Sequence, residues 1–125
     1  SSVNLIVAQR LARKVCASCK ERDDVSPETL IQMGMDPEVA SRAECLRGKG
    51  CPVCGNTGFK GRVALYEVMP ITEEVRELIL MGASTAEIKN QAISQGMKTL
   101  RQSGLTKILD GTTSVSEILR TTMAD

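Results

Sequence analysis

The sequence predicts an α+β chain, mostly helical, in which a small tetracysteine subdomain with a short strand or hairpin precedes a small helical bundle. Three observations lead there. Four of the five cysteines fall into two C-x-x-C pairs. Residues 61–71, GRVALYEVMPI, are rich in β-branched and aromatic types, as a strand or hairpin arm requires. From Thr72 onward, apolar-patterned segments open on capping residues, and three of them close on a glycine.

A chain of 125 residues fits one domain, or two small subdomains sharing a modest core. Its only aromatic side chains are Phe59 and Tyr66, so any core must rest on Leu, Ile, Val, Met and Ala. Aliphatic residues can fill a helical core of this size. The glycine-rich middle is short of packing material, and a cross-link there would compensate. Sixteen basic and fifteen acidic residues leave a net charge of +1, which argues against an obligate nucleic-acid binder. With no apolar run of about 18 residues and no signal peptide, the expectation is a cytoplasmic protein without direct membrane insertion.

Along the chain, Leu5, Ala8, Leu11, Ala12 and Val15 share one helical stripe, with Arg10, Arg13 and Lys14 off it, so residues 3–15 read as a helix. Ser26 and Asp36 are N-caps, each followed by proline at the first helical position, and Gly34 is a stop. These predict two short helices inserted between the cysteine pairs. After Thr72, helices are expected to end at Gly82, Gly96 and Gly111. Ser84 with Glu87, and Ser114 with Glu117, have capping-box spacing. Leu100, Leu105, Ile108 and Leu109, then Val115, Ile118 and Leu119, are the apolar residues expected to face inward.

Cys16, Cys19, Cys51 and Cys54 give C-x2-C-x31-C-x2-C, in a chain with no histidine. Two thiolates three positions apart on a tight turn can share one ion, and two such turns complete a tetrahedron at about 2.3 Å from the metal. Gly55 directly follows Cys54, a position where positive φ and close approach of amides to sulfur are common. Zinc is the default ion for four thiolates, and such a site is closed to water and substrate. An iron–sulfur cluster or a single iron uses the same donors. A thioredoxin-like redox role lacks the βαβ context. Four thiolates and one Zn²⁺ add −2, moving the formal charge from +1 to −1. Arg13, Lys14, Lys20, Lys49, Lys60 and Arg62 flank the cysteines in sequence and can offset that charge. Cys45 belongs to neither pair and reads as a small buried hydrophobe.

No P-loop motif is present, and without histidine a Ser or Cys nucleophile lacks its usual base. Glu73 and Glu74 sit where a helix dipole favours carboxylates. Arg62 and Glu67 are candidates for a cross-strand or interface ion pair. The chain alone therefore reads as non-enzymatic.

Three stretches, SSVNLIVAQRLARKVCASC, GCPVCGNTGFKGRVALYEV and GMKTLRQSGLTKILDGTTSVSEIL, together resemble the C-terminal region of the hexameric ATPases of type IV pilus assembly and type II secretion, the PilB/GspE-like family. The resemblance runs over essentially the whole chain, and FKGRVALYEVMPI leans toward the pilus branch. It implies that Cys16, Cys19, Cys51 and Cys54 match the family's tetracysteine zinc motif. It further implies three parts: 1–15 as the tail helix of the nucleotide-binding domain, 16–62 as a zinc subdomain with a helical insert, and 63–125 as a strand with a C-terminal helical subdomain. ATP and Mg²⁺ would bind only in an ATPase core outside this chain. The implied partners are the rest of the hexamer and an inner-membrane platform protein, with the assembled machine cytoplasmic and peripheral to that membrane. The competing expectation is a zinc-ribbon binding module for nucleic acid or unfolded protein, since CPVCGNTGFKG resembles one unit of a chaperone zinc region. The insert is expected to form an exposed lobe, with Gln32 and Arg42 on its solvent face.

Overall fold

The structure, a computed structural model, describes residues 5–122. Strand β1 (Leu5–Val15) pairs antiparallel with β4 (Phe59–Pro70), and β2 (Lys20–Asp23) pairs antiparallel with β3 (Cys45–Gly48). Helices α1 (Pro27–Gln32) and α2 (Pro37–Arg42) lie between β2 and β3. A 3₁₀ turn, Pro52–Cys54, precedes β4, and α3 (Glu73–Leu80), α4 (Thr85–Ser94), α5 (Leu100–Leu109) and α6 (Val115–Thr121) follow it. The chain is thus α+β, with six helices and two small sheets among the described residues. None of these helices is long and apolar enough to cross a membrane.

Residues 5–15 are a strand, not the helix read over 3–15 or the tail helix expected over 1–15; residues 1–4 lie outside the described residues. The ladder with β4 runs from Leu5 opposite Pro70 to Arg13 opposite Arg62, then shifts at a bulge so that Val15 faces Phe59. Ala8 and Ala12 project to one side and Leu5 and Leu11 to the other, because successive side chains alternate in a strand. The bulge breaks that alternation and buries Val15. Burial at Ala8, Ala12 and Val15 therefore imitates a helical stripe on an extended backbone.

The local helix signals match the structure closely. Ser26 and Asp36 accept N–H bonds at the starts of α1 and α2, and Thr72, Ser84, Thr99 and Ser114 do so for α3 to α6. Gly34, Gly82, Gly96 and Gly111 take positive φ just beyond helix ends.

The main core joins regions that are distant in sequence. Ala12 and Leu65 from the β1–β4 sheet pack with Leu30, Met33, Met35 and Ala40 from the insert and with Leu100, Leu105, Ile108, Val115 and Ile118 from α5 and α6. The insert therefore does not stand out as a separate lobe: its apolar side is part of this core, while Gln32 and Arg42 remain exposed. Nor do the last four helices form one bundle. Val75, Ala92 and Met97 make a second small cluster with Met69, Ile71 and Ile88, so α3 and α4 pack on the far end of β4. Leu109 and Leu119, expected inside, are 43% and 37% exposed. Helices of seven to ten residues have room for only a narrow buried stripe.

Candidate metal centre

The two cysteine pairs meet at one end of the β2–β3 ribbon. Cys16 and Cys19 lie in the turn from β1 into β2, and Cys51 and Cys54 bracket the 3₁₀ turn after β3. Pairing of Lys20 with Gly48 brings the turns together, and the N–H of Lys49 donates to the Cys19 carbonyl at 3.1 Å. The N–H of Cys16 donates to the Gly58 carbonyl at 2.9 Å, tying the first turn to the backbone beyond the second.

Two glycines make this crossing possible. A Cβ on Gly48 would lie 1.9 Å from the Gly58 carbonyl oxygen, and one on Gly58 would lie 2.5 Å from the Gly48 oxygen. The backbones touch with no space for any side chain. Gly55, at φ 65°, and Asn56, at φ 63°, turn the chain through two successive left-handed residues after Cys54. Asparagine is among the few non-glycine residues that adopt this conformation readily.

All four sulfurs converge: the Sγ atoms of Cys16, Cys19, Cys51 and Cys54 lie within 4.8 Å of one another. Three of the separations, Cys16–Cys51, Cys19–Cys54 and Cys51–Cys54, are 3.8 Å. A tetrahedron of sulfurs about 2.3 Å from its centre has edges of about 3.8 Å, so the donor set matches a single four-coordinate ion such as zinc. Backbone amides point at the sulfurs. The N–H of Gly50 donates to Cys19 Sγ at 3.3 Å, and those of Cys51 and Gly58 donate to Cys54 Sγ at 3.3 and 3.2 Å. Such donors stabilise thiolates and disperse the charge of a four-thiolate site.

The electrostatics of the thiols are uneven. Burial pushes Cys54 up, but the amides of Cys51 and Gly58 and the neighbouring thiols outweigh it and bring the group down to about 6. Cys19 is pushed up to about 12 by burial and by the three other cysteines, against the single amide of Gly50. Four thiols this close cannot all ionise without a cation to neutralise them. Cys45 is outside the cluster. It is buried in the main core opposite Asp23, and burial together with that carboxylate pushes its thiol up.

A polar network beside the cysteines was not legible in the sequence. The Glu117 side chain, wholly buried, accepts from the backbone N–H of Arg13 at 2.7 Å and from the guanidinium of Arg13 at 3.0 Å and of Arg120 at 2.7 Å. Arg13 also lies over the Phe59 ring, 4.1 Å from its centroid, next to Gly58. The Ser114–Glu117 capping box is therefore half made: Ser114 Oγ accepts from the Glu117 N–H, but the carboxylate goes to the arginines. In the Ser84–Glu87 box both bonds form. Arg62 and Glu67 do not pair. Five positions apart on one strand, they project to opposite faces. Glu67 instead meets Lys89 at 3.6 Å and accepts from the Leu100 N–H. A cleft of about 610 Å³ between α1, α4 and the start of α5 is lined by none of the cysteines and holds no converging acid–base set.

Residues 1–120 match the family described as Type II/IV secretion system protein. The Type IV pilus assembly ATPase PilB of Myxococcus xanthus is 44% identical over 126 residues, covering all of this chain and 22% of that protein. PilB of Thermus thermophilus is 42% identical over 94% of this chain and 13% of its own length. Type II secretion system protein E of Aeromonas hydrophila is 34% identical over all of this chain and 24% of its own length. The chain thus spans between 13% and 24% of the length of these relatives. By this match over nearly its full length, the chain belongs to the type II/IV secretion system protein family.

Proposed function

We propose that this chain is the non-catalytic C-terminal part of a cytoplasmic ATPase that powers type IV pilus assembly, with Cys16, Cys19, Cys51 and Cys54 holding a structural zinc ion. The observation that carries the pilus reading is identity: the pilus assembly ATPases compared are 36% to 44% identical to this chain, against 31% to 34% for the type II secretion relatives. A type II secretion ATPase is the second reading, supported by a 34% match over the whole chain.

In this reading ATP and Mg²⁺ bind and react in sequence outside these 125 residues. The partners are the remainder of a hexamer and an inner-membrane platform protein, and the assembly sits at the cytoplasmic face of that membrane. Zinc, where bound, supplies a closed four-thiolate cross-link and no reactive position. The chain's own residues give that cross-link its purpose. The amides of Gly50, Cys51 and Gly58 orient the sulfurs, and the Gly48–Gly58 crossing and the β2–β3 ladder bring the turns into register. The metal then stands in for the packing that a glycine-rich segment cannot supply.

Two measurements test the two halves. Elemental analysis of the purified chain should give one zinc per chain; iron, or no metal with freely reactive cysteines, would overturn the zinc assignment. Deleting the gene for the whole protein should abolish pili and leave secretion of exported enzymes intact. The opposite pattern would move the assignment to the secretion branch.

A further inference from the structure

The β1–β4 sheet leaves one face and one edge unpartnered. On the side away from the core, the cross-strand pairs are Leu5–Pro70, Val7–Val68, Gln9–Tyr66 and Leu11–Ala64. Leu5, Val7, Leu11, Tyr66 and Val68 are between 38% and 56% exposed, while Ala12 and Leu65 on the opposite side are fully buried. From Leu5 to Leu11 this outer face of the sheet carries no charged side chain. So contiguous an apolar surface marks an interaction site, and its lack of charge resembles a core cut in half rather than a transient contact.

The edge is as telling as the face. The N–H of Arg13 donates outward to Glu117, and its carbonyl accepts from Thr113 Oγ1. By the alternation of an antiparallel strand, Leu5, Val7, Gln9 and Leu11 turn their backbone groups the same way. Among the described residues, no hydrogen bond reaches the outward groups of these four. Natural edge strands are protected by proline, by bulges or by charge. Between Leu5 and Leu11, β1 has no proline and no bulge, and Arg10 is its one charged residue. The single bulge falls at Arg13–Val15, where the α5–α6 connection takes over the edge.

We infer that β1 is an interior strand in the complete protein: its outer edge pairs with a further strand, and the Leu5–Val7–Leu11–Tyr66–Val68 face is covered by an apolar layer, both supplied by the same polypeptide. The occupant follows from the lengths. This chain aligns in full with the Myxococcus xanthus relative yet makes up 22% of it, so such a polypeptide carries ample further sequence. The inference rests on the family reading above.

Hydrogen exchange tests it, with the amides of Leu5, Val7, Gln9 and Leu11 followed in this chain and in the complete polypeptide, both held monomeric by dilution. Exchange at these four positions should be at least about 100-fold slower in the complete monomer. Equal, fast exchange in both monomers would overturn the inference. Protection that develops only on self-association would also overturn it, assigning the edge to a second copy. Val7→Lys gives an independent check. It should leave melting of the 125-residue chain unchanged and abolish cooperative unfolding of the complete polypeptide; melting of both unchanged would overturn the inference. ATP hydrolysis by the complete polypeptide is scored separately. Fast exchange in an active ATPase sinks this inference alone, and protection in a polypeptide without ATPase activity sinks only the functional reading.

Discussion

Glu117 reaches across 104 positions of sequence to Arg13, accepting its backbone N–H at 2.7 Å and its guanidinium at 3.0 Å. The carboxylate belongs to α6 and the arginine to the strand that leads into Cys16, so one buried charge fastens the C-terminal helix to the base of the cysteine cluster. Phe59, under the same guanidinium, continues the contact into β4. Burial raises the Glu117 carboxyl, but hydrogen bonds from Arg120 and Arg13 outweigh it and hold the group down at about 2 against an ordinary 4.5.

That depression makes stability depend on pH with a definite sign. A carboxylate lower in the folded than in the unfolded state contributes fully above pH 4.5, and the contribution fades as pH falls toward 2. Its size at neutral pH is at most about 3 kcal/mol. Glu117→Gln should remove it, lowering stability at pH 7 and flattening the acid limb. Protonation of Cys54, brought down to about 6, adds an acid limb of its own in both proteins. The quantity to read is therefore the difference between wild type and variant in urea unfolding from pH 7 to pH 3. Parallel curves would show that Glu117 does not carry the charge assigned to it.

Gly48 should tolerate no side chain. Its Cβ would collide with the Gly58 carbonyl at 1.9 Å, a backbone atom that cannot swing aside. Gly48→Ala should destabilise by more than about 3 kcal/mol, beyond ordinary overpacking, and lower zinc stoichiometry with it. Gly82→Ala is the control: φ is 75° there but nothing lies within 4 Å, so only the left-handed backbone cost of about 1–2 kcal/mol applies. Similar melting temperatures for the two variants would contradict the close crossing.

The cysteines should divide by position and not by count. Cys54→Ala removes a sulfur that holds two amide donors and should abolish stoichiometric zinc. Cys45→Ser, in the main core, should keep one zinc per chain and cost about 1–3 kcal/mol for the buried hydroxyl. Chelation of the wild-type chain should lower its melting temperature and loosen the β2–β3 ribbon first, because the ion's binding free energy is folding free energy for the turns it joins. Loss of zinc from the Cys45 variant would place a ligand outside the four.

What could be read in the sequence was whatever is decided locally. A capping serine, a proline at the first helical position and a glycine stop act within one turn, and Ser26, Pro27 and Gly34 bound α1 as expected. The two C-x-x-C pairs carry their chemistry in residue type and spacing, and the four sulfurs meet. What failed was decided by distant partners. Residues 5–15 are extended because β4, some fifty positions later, offers a ladder, and the bulge disguises strand burial as a helical stripe. Glu117 has the spacing of a local cap, but two arginines, one of them 104 positions away, compete for its carboxylate. The 31-residue stretch between the cysteine pairs reads as an exposed lobe. Leu30 and Ala40 are buried nonetheless, in a core shared with α5 and α6.

Gly104 shows packing overruling helix propensity. It sits in the interior of α5, where alanine would be favoured by about 1 kcal/mol on propensity alone. A Cβ there would lie 2.6 Å from Ile118 Cγ2 and 2.9 Å from its Cδ1, and Ile118 is fully buried. Gly104→Ala should therefore destabilise, by about 1–3 kcal/mol net. Ile118→Ala alone should cost about 2–5 kcal/mol through the cavity it leaves. Combined, the two should cost clearly less than their sum, because the new methyl then fills space the isoleucine has vacated. Denaturant unfolding of the four proteins in the cycle measures the coupling. Strict additivity would mean that α5 and α6 do not touch at this glycine.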